Sequence, residues 1–102
     1  MDERVARCVL VAKVLAADGI MTEHERAFLE NAMDASGLSE EERRRVRDLE
    51  GWDQAEAQIA ALSEAERRAF MDSLVNAVLA DGKVSPHEMQ TIEKLAAALR
   101  LP

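Results

Sequence analysis

A nine-residue segment occurs twice in this chain, 63 residues apart: Ala17-Asp18-Gly19-Ile20-Met21-Thr22-Glu23-His24-Glu25 and Ala80-Asp81-Gly82-Lys83-Val84-Ser85-Pro86-His87-Glu88. Five of the nine positions are identical, Thr22 and Ser85 are chemically equivalent, and Met21 and Val84 match as an apolar pair. Each copy ends one apolar-periodic stretch with a glycine, which can take the left-handed conformation that closes a helix. Each then opens another with a hydroxyl side chain followed three residues later by glutamate, the signature of a capped helix start. The chain must therefore turn a helix–turn–helix corner near each end, and its first and last helix pairs read as two copies of one hairpin.

The stretches around the corners agree. Four glycines, two prolines and eighteen alanines leave little material for turns between strands, and no run alternates apolar and polar residues. Apolar positions recur instead at three and four. A first helix over roughly Asp2 to Ala17 places Val5, Cys8, Val9, Ala12 and Leu15 on one face. A second starts at the Thr22 cap, carries Phe28, Leu29, Ala32 and Met33, and stops at Ser36-Gly37. A third follows Ser39 with Val46 and Leu49 inward and ends near Glu50-Gly51. A shorter fourth follows Asp53 with Ala57, Ile59, Ala60 and Leu62. The fifth is capped by Ser63, carries Phe70, Leu74, Val75 and Val78, and ends at Asp81-Gly82. In the last, Ser85 caps, Pro86 stands at the first position where its missing N–H costs nothing, and Met89, Ile92, Leu95 and Leu99 face inward. Trp52 is expected to plug the core from the non-helical stretch between the halves. Loops of a few residues set successive helices antiparallel or steeply crossed. The expected fold is all-α: one domain over residues 1–102, a compact bundle of about six helices with a pseudo-repeat of two hairpins.

Charge narrows the function classes. Of 102 residues, 20 are acidic and 13 are Lys or Arg, for a net charge of −7. Residues 1–51 and 52–102 carry −4 and −3, so neither half has the positive footprint nucleic acid requires. A lone cysteine, Cys8, excludes an intramolecular disulfide and a four-cysteine zinc site. On the inward face it reads as a buried apolar residue rather than a nucleophile. The start Met1-Asp2-Glu3-Arg4 does not resemble an export signal, and no apolar run is long enough to span a membrane. A cytoplasmic protein without membrane insertion is expected, with a protein partner and an undetermined oligomeric state.

The repeat itself admits two readings. Thr22-x-x-Glu25 and Ser85-x-x-Glu88 are capping boxes, and Ser39-x-x-Glu42 and Ser63-x-x-Glu66 show that the chain uses this device elsewhere. Caps do not account for Asp18 and Asp81, however. An aspartate at a helix C-terminus faces the negative end of the macrodipole, at a cost of about 0.3–1 kcal/mol. Repeating that choice at both corners suggests a compensating partner, and a hard divalent cation prefers carboxylate and carbonyl oxygens. The spacing matches the later half of an EF-hand loop, but the earlier ligand positions fall on Val14 and Ala16, or Ala77 and Leu79, which offer no side-chain oxygen. An independent EF-hand is excluded, whereas one ion shared between two corners that meet in space is not.

Ala-Asp-Gly, an aliphatic residue two beyond the glycine, a Ser or Thr cap and then Glu, once near each end of an all-helical chain, resembles the TerB-like tellurite-resistance family. That family includes the N-terminal domain of a membrane-anchored DnaJ-type chaperone. The resemblance runs from the first helix to Leu101 and implies an all-helical bundle with internal pseudo-symmetry. It also implies a metal site built from the acidic residues of the two motifs, here Asp18, Glu25, Asp81 and Glu88. The implied role is in stress responses, including resistance to tellurite, without enzymatic turnover.

Both histidines, His24 and His87, stand beside the motif glutamates. Neighbours on a helix project about 100° apart, so neither need face an ion held by its glutamate, and surface positions are expected. An all-oxygen site favours Ca²⁺, Mg²⁺ or Mn²⁺ over Zn²⁺. The run Glu40-Glu41-Glu42-Arg43-Arg44-Arg45 reads as a solvated, self-paired face. No phosphate loop, Ser/His/Asp constellation or zinc-protease motif is present, so nothing in the sequence supports catalysis. Two functions follow as expectations: a divalent-metal-binding module linked to stress, or a metal-independent helical adaptor for protein contacts.

Overall fold

A computed structural model of the chain describes residues 1–17, 19, 21–79 and 85–101. Among these it contains six helices and no strand: α1 (Glu3–Leu15), α2 (Glu23–Ser36), α3 (Glu40–Arg47), α4 (Trp52–Ala60), α5 (Glu64–Leu79) and α6 (Pro86–Ala98). The starts follow the sequence cues. Asp2, Thr22, Ser39 and Ser85 each accept a hydrogen bond from a backbone N–H of the first turn. Their oxygens satisfy donors that the helix leaves without partners.

The first helix is the centre of the molecule. Nine of its 13 residues are buried, including Ala6, Leu10, Val11 and Val14 beyond the expected face. It touches all five other helices and packs most extensively on α4. A helix apolar on nearly every side belongs in a core, and the unbroken run Val9-Leu10-Val11-Ala12 carries that signal. Met33, Val46, Ile59, Leu74 and Leu99 join it in the core from both halves of the chain. Cys8 is buried there as a free thiol, and burial raises its pKa, so it packs rather than reacts.

The ends of α2 and α6 are built alike. Gly37 (φ 66°) and Arg100 (φ 58°) take the left-handed conformation just past each helix. Leu38 N–H donates to Met33 O at 3.2 Å, and Leu101 N–H donates to Ala96 O at 2.9 Å, closing both ends. From the neighbouring helix start, Arg4 Nη1 donates to Ser36 O at 2.7 Å and Arg67 Nη1 donates to Leu99 O at 2.6 Å. Donors and acceptors in each of these pairs are offset by the same 63 residues as the sequence motif.

Several expectations are corrected. Trp52 does not plug the core: it opens α4, is 41% exposed, and carries Lys13 Nζ at 3.3 Å from its ring centroid. Gly51, with φ 74°, turns the chain into helix two residues earlier than expected, and Ala55 and Ile59 take the inward positions. Ala57 is exposed accordingly, and Met89 is 43% exposed. Helix α3 stops at Arg47, because Leu49 adopts a left-handed φ of 55°. The charged run pairs partly with residues beyond it: Arg44 engages Asp48 and Glu50 as well as Glu41. The expected end of α5 at Asp81-Gly82 lies outside the described residues.

Candidate metal centre

The two motif glutamates share an environment found nowhere else in the described chain. Glu25 and Glu88 are its only buried charged residues, at 3% and 4% exposure. Each is the third residue of its helix, where the capping box turns the side chain back over the helix start. Glu25 Oε1 accepts from Thr22 N–H at 3.0 Å, while Glu88 Oε1 accepts from Ser85 N–H at a looser 3.4 Å. In return, Thr22 Oγ1 and Ser85 Oγ accept from the glutamate N–H groups at 3.1 and 3.0 Å. Both carboxyls are thereby oriented by their own helices and removed from water.

The two are also neighbours. Burial raises the Glu88 pKa above its ordinary value, and the neighbouring Glu25 carboxyl raises it further, against the lowering effect of Ser85. Glu88 Oε2 is buried without a hydrogen-bond partner. Two ionised carboxylates offer only lone pairs to one another. Their buried proximity is stable only with a proton between them or a cation beside them. The orphaned oxygen and the oxygen-only donors suit a hard divalent ion.

Asp18 and Asp81, the other two residues of the expected ligand set, lie outside the described residues. Among the described residues no group of three or more His, Cys, Asp or Glu side chains is assembled. His24 and His87 are both exposed, as their phase beside the glutamates predicts. The capping boxes alone leave the four glutamates undivided. The only local cue that separates Glu25 and Glu88 from Glu42 and Glu66 is the preceding Asp-Gly.

Fold and site together define a class: a small all-helical module with a buried carboxylate pair at facing helix starts. No described helix is long and apolar enough to cross a membrane. The family model described as tellurite resistance protein TerB matches residues 4–102, and the chain belongs to the TerB family. This is not a known enzyme family. No curated protein and no solved structure matches the chain.

Proposed function

We propose that this TerB-family bundle is a non-enzymatic module that binds one divalent cation between Glu25 and Glu88, with Asp18 and Asp81 completing the ligand set, and that it serves in stress or tellurite resistance. The observation that carries this reading is the burial of Glu25 and Glu88 as neighbouring carboxyls, with Glu88 Oε2 lacking a hydrogen-bond partner. A cation there would relieve the repulsion and tie the start of α2 to the start of α6. The donor chemistry favours Ca²⁺, Mg²⁺ or Mn²⁺ over Zn²⁺. Thermal melts with each ion against a chelator test the reading. Stabilisation by at least one ion, abolished in Asp18→Asn with Asp81→Asn, supports it, and equal midpoints in every condition exclude it.

A second reading has support of its own. One proton shared by the glutamates satisfies the pair without metal, and no larger ligand cluster is assembled among the described residues. The protein would then be a metal-independent adaptor, and its exposed Leu79 and Met89, beside an apolar groove of about 140 Å³ between α5 and α6, would be available for protein contacts. In that case Asp18→Asn and Asp81→Asn leave stability unchanged or slightly raised in every buffer.

A further inference from the structure

A cleft of about 400 Å³ opens where the C-terminal end of α1 meets α2 and the segment after α3. That volume falls within the range of small-molecule sites. Ala12 and Ala16, one turn apart, form its floor, and their short side chains leave the hollow. Met21, Leu29 and Leu49 wall it. Leu49 does so from its left-handed conformation, which a leucine holds only when its surroundings impose it.

Every polar side chain lining the cleft is charged: Arg26, Arg47 and Glu30. In a chain of net charge −7, this rim carries two cations against one anion. Glu30 is shared, with Arg47 Nη2 at 3.4 Å and Arg43 Nη1 at 3.7 Å, so it retains a partner if Arg47 turns away. Arg26 makes no ion pair or side-chain hydrogen bond among the described residues and stands exposed beside the apolar walls. Guanidinium forks at the mouth of an apolar hollow are complementary to one planar anion attached to a hydrocarbon tail. The rim's single excess positive charge matches a monoanion better than a dianionic phosphate.

We propose that this cleft binds a small amphipathic monocarboxylate, with its aliphatic tail on the Ala12–Ala16 floor and its carboxylate at Arg26 and Arg47. The site is separate from the glutamate pair and requires no metal.

The test is a titration of chelator-treated protein with octanoate, octanol and octylammonium, followed by calorimetry and by amide chemical shifts. Octanoate is expected to saturate at least about tenfold more tightly than octanol, a difference of about 1.4 kcal/mol. Octylammonium is expected to bind more weakly than either, with shifts centred on Ala12, Ala16 and Leu49. Arg26→Gln should reduce octanoate to the affinity of octanol and leave octanol unchanged. Ala16→Leu should abolish binding of both, and the exposed Arg26 site keeps the test decisive if the leucine is not tolerated. Absence of saturable octanoate binding, unchanged affinity in Arg26→Gln, or shifts centred on the α5–α6 groove would overturn the proposal.

Discussion

Four helices of this bundle begin with the same Ser/Thr-x-x-Glu device, yet the four glutamates end in two different environments. Glu66 lies exposed and Glu42 half-exposed, each serving its own helix start. Glu25 and Glu88 make the same reciprocal box bonds as Glu42 but are buried as neighbours. Glu42 closes the same full reciprocal box as the buried pair, so its contrast with Glu25 and Glu88 isolates the effect of tertiary placement. In water a capping carboxylate has solvent for its second oxygen, whereas in the bundle the second oxygen of Glu88 has none. A device that is routine at two starts becomes, at the other two, a source of strain that a proton or a cation can relieve.

The largest expected effect comes from asking which pair responds to metal. An ion at about one hundred times its dissociation constant should stabilise the fold by about 2.7 kcal/mol. For a chain of this size that corresponds to roughly 10–20 °C in the melting midpoint. The double variant Glu25→Gln with Glu88→Gln should lose this shift, while Glu42→Gln with Glu66→Gln should keep it to within about 0.5 kcal/mol. Equal responses from the two doubles would erase the distinction between the pairs.

A smaller effect is expected without metal. Glu88→Gln keeps an oxygen for Ser85 N–H and gives Glu25 an N–H donor, so in chelator at neutral pH it should stabilise the fold by about 1 kcal/mol. Its signature is the pH dependence. The Glu88 pKa is raised in the folded state, so the folded protein binds more protons than the unfolded chain above the ordinary value of 4.5. The stability it contributes is full below that value and is lost as pH rises through the raised folded pKa. Chemical denaturation of the wild type in chelator should show this decline, and Glu88→Gln should flatten it. Asp2, Glu41 and Glu64 behave oppositely. Arg4, Arg44 and Arg68 hold their pKa values low, so their contribution is present above the ordinary value and lost as pH falls. A wild-type curve without the upper decline would place the proton elsewhere than on this pair.

The smallest effects belong to the exposed boxes. Ser39→Ala removes a full reciprocal box and should cost about 1 kcal/mol in denaturant unfolding. In the Ser63 box the hydroxyl still accepts from Glu66 N–H, but it also donates to the Glu66 carboxylate, leaving the Ser63 N–H outside the exchange. Ser63→Ala should therefore cost less, about 0.5 kcal/mol. Neither substitution should alter the response to metal.

Helix number, order and most boundaries were legible in the chain because caps, glycines and apolar spacing are local signals. Thr22, Ser39 and Ser85 begin helices where expected, and Gly37 closes α2. Trp52 was misread because a large apolar side chain carries no local mark of depth. Its place was decided by the Gly51 turn, by Ala55 and Ile59 filling the interior, and by Lys13 lying over the ring. The arginine rim at Arg26 and Arg47 was likewise hidden, since the two residues stand on different helices and share a cleft only after folding.

The sequence by itself determined that this is an all-helical TerB-family chain, and the repeated Asp-Gly marked two of the four capping boxes as different. Helical phase could not say how. Each box glutamate stands four residues before an apolar residue of the core or its margin, Leu29, Val46, Phe70 or Ile92, so all four face inward equally on a helical wheel. Only the tertiary structure decided which of them are buried, because packing of α2 and α6 on the rest of the bundle removes Glu25 and Glu88 from water and leaves the starts of α3 and α5 open to it. Burial of a carboxylate depends on what the rest of the bundle places around it, and that is not written at the residue itself.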